Sequence, residues 1–213
     1  MCKHYDCYET GVIFEEPYDG AESGFCIVEN YDSAYRRLQE YRKSNPEIFG
    51  VLDENVPEKR YLGIGNKSTP DDAIGYSWRW EIDSVLPQSE NEALEIMETF
   101  YSKDNCELVW IRVHGATAVI PEKYQFCGYD ITYTPEIDGA YSIVNDSVSG
   151  GFFYRNSERK TKFLVYFDRL NENGLFDEFG TAFEYMKFYL SIDTSERGTF
   201  CICEIYRRTS AEM

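Results

Sequence analysis

Three short segments that are apolar on both faces constrain the fold of this chain more than any other feature. The segments 108–113, 163–167 and 200–206 each contain at most one charged residue. A strand that is apolar on both faces is buried on both, so it lies in the interior of a sheet. The sequence therefore predicts a covered sheet in which these segments are inner strands.

Three helices are predicted from the spacing of apolar residues and from boundary residues. The clearest follows Ser89, which forms a capping box with Glu92, and its apolar face includes Ala93 and Met97. The other two helices are predicted at about 32–43 and about 177–190.

The remaining strands are predicted from alternation and from β-prone residues at 12–14, 25–28, 61–64, 76–82 and 129–133. About eight strands and about three helices, not in strict alternation, predict an α+β fold with a mixed, mainly antiparallel sheet. No run of Pro, Gly or Ser is long enough for a linker. Residues 1–213 are therefore expected to form a single globular domain, with a two-part organisation around 1–120 and 121–213 as the alternative.

The charge of the chain excludes some classes of ligand. It has 21 Lys and Arg against 38 Asp and Glu, a formal net charge of −17. Affinity for nucleic acid depends on cationic groups, so nucleic acid is excluded and an anionic membrane surface is disfavoured. With 43% hydrophobic residues, the chain is too apolar for a disordered acidic protein.

The cysteines and the N-terminal residues predict a cytoplasmic protein. The seven cysteines are spread over the chain without the dense framework of a small secreted domain. No apolar stretch follows Lys3 to make a secretory signal, and no window approaches the roughly 18 apolar residues that span a bilayer.

Fourteen acidic residues are concentrated in two windows that contain no Lys or Arg, eight in 4–35 and six in 80–102. The other 24 acidic residues nearly balance the 21 basic ones. If the two windows lie side by side in the folded protein, they would attract a basic protein and raise its association rate. Tyrosines interleaved with the acids of the first window would add contact area. The alternative is that both windows are ordinary solvated faces. The predicted partner-binding residues are Glu15, Glu16, Tyr18, Asp19, Glu92, Glu95 and Glu98.

The sequence indicates metal binding and nucleophilic catalysis less clearly than it indicates an acidic surface. Cys2, His4 and Cys7 gather three soft ligands, but a closed zinc site needs four, so no metal and no cofactor is predicted and the trio is expected to be packed or frayed. His114 ends an apolar strand, where active sites are common, with Cys106 or Cys127 as a potential partner. The simpler interpretation is a histidine bonded to a loop carbonyl, and no catalytic residue is assigned.

Three segments of the C-terminal half carry a resemblance to known proteins. The stretches 128–133 (GYDITY), 167–176 (FDRLNENGLF) and 196–200 (ERGxF) resemble uncharacterised small acidic bacterial proteins. Some of those are similar in size and charge to immunity proteins that neutralise polymorphic toxins of interbacterial competition. The resemblance brings no functional motif, and it implies a cytoplasmic antidote that occludes a toxin's active site.

Charge and resemblance together predict a non-enzymatic cytoplasmic binding protein, of the immunity or inhibitor type, that neutralises a basic protein partner through acidic surface patches. The alternative is a small metal- or cysteine-dependent enzyme that uses His114 with a nearby cysteine.

Overall fold

The computed structural model describes part of the chain, and every structural statement below concerns that part. The described residues are 2–7, 13–17, 22–29, 89–100, 106–135, 141–142, 165–166, 169–171, 173–192 and 198–209. The elements predicted at 32–43, 61–64 and 76–82 lie outside these residues, as do Tyr18 and Asp19.

The described chain forms strands and two helices in mixed order. The strands are β1 (Lys3–Cys7), β2 (Ile13–Pro17), β3 (Ser23–Glu29), β4 (Cys106–Val113), β5 (Tyr124–Pro135), β6 (Tyr141–Ser142) and β7 (Gly198–Arg208). The helices are α1 (Glu90–Phe100) and α2 (Phe179–Ile192). Neither of these helices is long and apolar enough to cross a membrane.

Strand β7 is the centre of the sheet. It pairs with β5 along its whole length. On its other side it pairs with β1 near Phe200 and with β4 from Cys203 to Arg207. Strands β2, β3 and β6 then pair with β1, β4 and β5, and every described pairing is antiparallel. The α+β class and the antiparallel sheet are confirmed, whereas the counts of about eight strands and about three helices stay predictions.

Both faces of β7 are buried, as its apolar sequence predicts. Phe200, Ile202 and Tyr206 lie on one face, and Cys201, Cys203 and Ile205 on the other, all with less than a tenth of their surface exposed. In β4, Val109, Trp110, Ile111 and Val113 are buried in the same way. The prediction that 108–113 and 200–206 are inner strands is therefore confirmed.

Helix α1 begins where the sequence predicts. The Ser89 hydroxyl accepts a hydrogen bond from the backbone N–H of Glu92 at 3.2 Å, which satisfies one of the free donors at the helix start. Ala93 and Met97 are buried, and Ala93 belongs to the same apolar cluster as Trp110 and Tyr206.

Helix α2 covers the same face of the sheet as α1, nearer the start of β7. Tyr189 contacts Phe200, with ring centroids 6.5 Å apart, and Phe183 contacts Tyr5 of β1 at 5.3 Å. Phe200 shares its face of β7 with Tyr206, which packs with α1. The two helices therefore lie on one face of the sheet, and residues between them can remain partly open to solvent.

The prediction of an inner strand at 163–167 is wrong where the structure describes it. Val165 and Tyr166 are helical, and the backbone N–H of Arg169 donates to the Tyr166 carbonyl at 2.9 Å in a turn. Of these two residues, Tyr166 packs against a helix instead. The Tyr166 ring stacks on Phe188 of α2 at 5.2 Å, while Val165 is 60% exposed.

Candidate functional site

Two acidic residues of the first window, Glu15 and Glu16, lie on β2 at one edge of the described sheet. Glu15 and Glu16 are exposed on β2, and Glu15 forms an ion pair with Lys3 on the neighbouring strand. Part of the negative charge of this window is therefore balanced by a residue outside it.

The acidic residues of the second window lie on α1. Glu92, Glu95 and Glu98 are exposed on the side of the helix opposite Ala93 and Met97. The helix itself contains no Lys or Arg. We call Glu92, Glu95 and Glu98 the acidic face of α1.

Glu15 and Glu16 lie far from the acidic face of α1. Glu15 is opposite Tyr5 of β1, which is in turn opposite Phe200 near the start of β7. Helix α1 begins at the other end of β7, where Glu90 forms an ion pair with Arg208 at 3.0 Å. Eight residues of extended strand separate Phe200 from Arg208, about 26 Å at roughly 3.3 Å per residue. Glu15 and Glu16 therefore lie on a surface separate from the acidic face of α1, whereas Glu29 of the same window lies on β3, which packs against α1.

A cluster of polar side chains lies on the sheet face between the two helices. The antiparallel register places Arg112 of β4 opposite Glu204 of β7. Glu204 Oε2 accepts hydrogen bonds from Arg112 Nε at 2.9 Å, from Arg112 Nη2 at 2.5 Å and from the Tyr206 hydroxyl at 2.6 Å. Glu204 Oε1 lies 2.8 Å from Nδ1 of His114. We call these four residues the Glu204 cluster.

Arg112 makes two further hydrogen bonds. Nη1 of Arg112 donates to the carbonyl of Ala118, in the loop after β4, at 3.1 Å, and Nη2 of Arg112 donates to the Tyr206 hydroxyl at 2.8 Å. The Tyr206 hydroxyl thus accepts from Arg112 while donating to Glu204. Such linked, charge-assisted bonds fix the positions of all three groups.

The hydrogen bonds of the cluster determine its charge. Burial alone would raise the pKa of Glu204, but hydrogen bonds from Tyr206, Arg112 and His114 outweigh it and hold the pKa below its ordinary value. Burial would lower the pKa of Arg112, yet its bonds with Glu204 raise it. Glu204 is therefore a carboxylate at neutral pH, and a carboxylate can only accept. Nδ1 of His114 must then carry a proton.

Aromatic rings surround the imidazole of His114. Phe179 of α2 stacks on it, with ring centroids 4.1 Å apart at an interplanar angle of 24°. Tyr129 of β5 meets it edge-on at 5.6 Å, and Phe126, which is 46% exposed, packs against Tyr129. The His114 side chain remains 39% exposed. The imidazole is thus held between rings and is still open to solvent.

The cysteines predicted as partners of His114 are not near it. Cys127 packs against the apolar cluster on the opposite face of the sheet, which includes Ile111 and Val113. Cys106 begins β4, eight residues before His114, so it lies about 26 Å away along the strand. The structure brings His114 together with a carboxylate instead of a thiol.

The trio of Cys2, His4 and Cys7 lies in and beside β1, and Cys2 is buried in the apolar cluster that contains Cys203. Burial and a hydrogen bond with Glu22 raise the pKa of Cys2 to about 11, so its thiol stays protonated at neutral pH. Among the described residues, no group of three or more His, Cys, Asp or Glu is arranged to hold a metal ion.

Comparison with protein-family models, with curated proteins and with solved structures finds no match to this chain. The resemblance to immunity proteins therefore stays a prediction from sequence.

Proposed function

We propose that this chain is a binding protein of the immunity or inhibitor type, which engages a basic protein partner through the acidic face of α1. The observation that carries this proposal is the exposure of Glu92, Glu95 and Glu98 on a helix whose opposite side is buried. The absence of Lys and Arg from α1 leaves this face with a single sign of charge.

A fixed row of carboxylates suits recognition of a cationic surface. Residues three apart on a helix rise by about 4.5 Å each, so the row spans about 9 Å. The Ser89 cap and the buried Ala93 hold the helix in place, so little ordering is needed when a partner binds. Complementary charge of this kind mainly raises the association rate and makes it depend on salt.

Glu15 and Glu16 of the first window give less support to the proposal. Glu15 is paired with Lys3, and β2 lies at the far end of the central strand from the start of α1. We therefore assign the principal contact to α1 and a secondary role to Glu15 and Glu16.

The test compares two triple variants with the same change of charge. The first is Glu92→Gln, Glu95→Gln and Glu98→Gln on α1. The control is Glu122→Gln, Glu178→Gln and Glu184→Gln, which are exposed acids elsewhere. The binding probe is the protein encoded beside this chain in its genome, because immunity proteins are expected next to their toxins. Association rates are measured at about 50 and about 500 mM salt.

The α1 variant should associate about tenfold more slowly than wild type at low salt, and its rate should depend less on salt. The control should resemble wild type. Equal rates for the two variants, or binding by wild type that is insensitive to salt, would contradict the assignment.

The alternative, a cysteine-dependent enzyme built on His114, has less support. Cys127 packs on the opposite sheet face and Cys106 begins β4 at its far end from His114. A nucleophile and its base must lie within hydrogen-bond distance, about 3 Å.

A further inference from the structure

The Glu204 cluster determines which nitrogen of a neutral His114 ring carries the proton. Because the Glu204 carboxylate only accepts hydrogen bonds, the proton of a neutral His114 lies on Nδ1, 2.8 Å from Oε1. The lone pair is then on Nε2, on the other side of the ring. Within the described part of the chain, Nε2 makes no hydrogen bond. The ring is 39% exposed, so small molecules can reach it.

The carboxylate that positions His114 is itself held firmly. Three bonds from Arg112 and Tyr206 occupy Oε2, which leaves Oε1 aimed at the imidazole. A histidine oriented by a fixed carboxylate is the usual form of a general base, because the carboxylate stabilises the imidazolium that forms on proton transfer.

We propose that His114 accepts a proton through Nε2 and that the chain thereby hydrolyses small uncharged aryl esters, with Glu204 as the positioning residue. This activity is separate from binding at the acidic face of α1. It uses a residue at the end of β4, between the helices, and does not require a protein partner.

The chemical step needs water and the ester only. His114 Nε2 takes a proton from a water molecule while the water oxygen bonds to the carbonyl carbon, and the carbonyl π electrons move to oxygen. When that oxyanion collapses, the bond to the aryl oxygen breaks and the aryl oxide leaves. The imidazolium then returns its proton, and the products are a carboxylic acid and a phenol.

The surroundings of His114 determine the substrate class. A net charge of −17 repels anions, and Arg112 and Glu204 neutralise each other, so the pair offers no net charge to attract a charged substrate. Tyr129 and the half-exposed Phe126 offer aromatic surface for an aryl group. Burial, together with the charge of Glu204, raises the pKa of Tyr129, so its hydroxyl stays protonated at neutral pH.

The first test measures the tautomer directly. Nitrogen-15 NMR of the imidazole should show the proton on Nδ1 in wild-type protein at neutral pH. In Glu204→Gln, whose amide can donate to the ring, the proton should shift toward Nε2. If the neutral ring of the wild-type protein carried its proton on Nε2, that measurement alone would overturn the proposal.

The second test measures hydrolysis of 4-nitrophenyl acetate. After the uncatalysed background is subtracted, His114→Gln should hydrolyse the ester at least about tenfold more slowly than wild type, since a positioned base contributes roughly 10²–10⁴-fold. His4→Gln, the same change at the other histidine, is the control and should retain the wild-type rate. The wild-type rate should be lower in D₂O because an O–H bond breaks in the step. Equal rates for His114→Gln and wild type, or equal rates in both solvents, would overturn the proposal.

Discussion

A β-carbon placed on Gly128 would lie 2.6 Å from the β-carbon of Leu175. This close approach lets the chain at Leu175 and Phe176 lie against β5, where Tyr129 and Phe176 exchange two backbone hydrogen bonds of 2.7 and 3.0 Å. Gly128 also has a φ of +142°, which side chains rarely adopt, beside the bulge in β5. The contact and the backbone angle both require glycine at this position.

Gly128→Ala should therefore lower the free energy of unfolding by about 2–4 kcal/mol, through overpacking and backbone strain together. Gly180→Ala is the matched control, because nothing lies within 4 Å of its β-carbon position and it lies in α2. That variant should be more stable by about 0.5–1 kcal/mol. Urea unfolding measures both, and equal effects would contradict the packing described for Gly128.

Glu204 should make stability depend on acid pH. A carboxylate whose folded pKa is lowered contributes stability above its unfolded pKa, about 4.3, and this contribution is lost as pH falls through the folded value. Wild-type stability should therefore fall below about pH 4.5. Glu204→Gln should be less stable at pH 7 by about 3 kcal/mol and should show a smaller fall in acid.

The control for Glu204 is Glu184→Gln, which removes the exposed ion pair with Arg169. An exposed pair contributes about 0–1 kcal/mol, so this variant should remain close to wild type at every pH. If the two variants lost the same stability, the Glu204 cluster would not be the source of the acid sensitivity.

The thiols should differ in reactivity. Burial raises the pKa of Cys203 to about 12 and that of Cys2 to about 11, and burial also raises the pKa of Cys26. Since the thiolate is the reactive form, iodoacetamide at about pH 8 should label the partly exposed Cys127 before these three. Mass spectrometry of peptides measures the order, and labelling in denaturant should reach all seven cysteines. Equally fast labelling of Cys203 and Cys127 would contradict the burial.

The contribution of the Ser89 cap of α1 to stability should be measurable separately. Ser89→Ala removes the acceptor for the Glu92 backbone N–H and should lower stability by about 1 kcal/mol. Ser89→Asp keeps an acceptor and should retain stability near that of wild type. Thermal unfolding followed by circular dichroism compares the two, and a loss of the same size in both would indicate that the cap is not the cause.

The inner strands at 108–113 and 200–206 could be predicted from the local sequence because a strand that is buried on both faces is apolar at nearly every position. The same patterns did not predict β1, because its residues are mixed in polarity and its contact with β7 involves only two residue pairs. The segment at 165–166 shows the opposite error. Val165 and Tyr166 are helical, and Tyr166 packs on Phe188 of α2, so a tertiary contact overrides the local pattern that favours a strand.

The candidate site was predicted only in part for a related reason. His114 was noticed because it ends an apolar strand, whereas its partner Glu204 is 90 residues away in sequence. Arg112 is the one charged residue of the apolar segment 108–113, and Glu204 is the one charged residue of 200–206, which was the available signal. Only the register between β4 and β7 places the two opposite each other, and the register is not encoded by either segment alone.

The central position of β7 has a consequence for synthesis of the protein. Strands β1, β4 and β5 leave the ribosome before residues 198–208, yet each of them pairs with that segment. Until β7 emerges, three strand edges lack the neighbour that joins them, and such edges are where chains associate wrongly. Assembly of the sheet is therefore a late step, and a nascent chain that stalls before residue 198 would present open edges to other molecules.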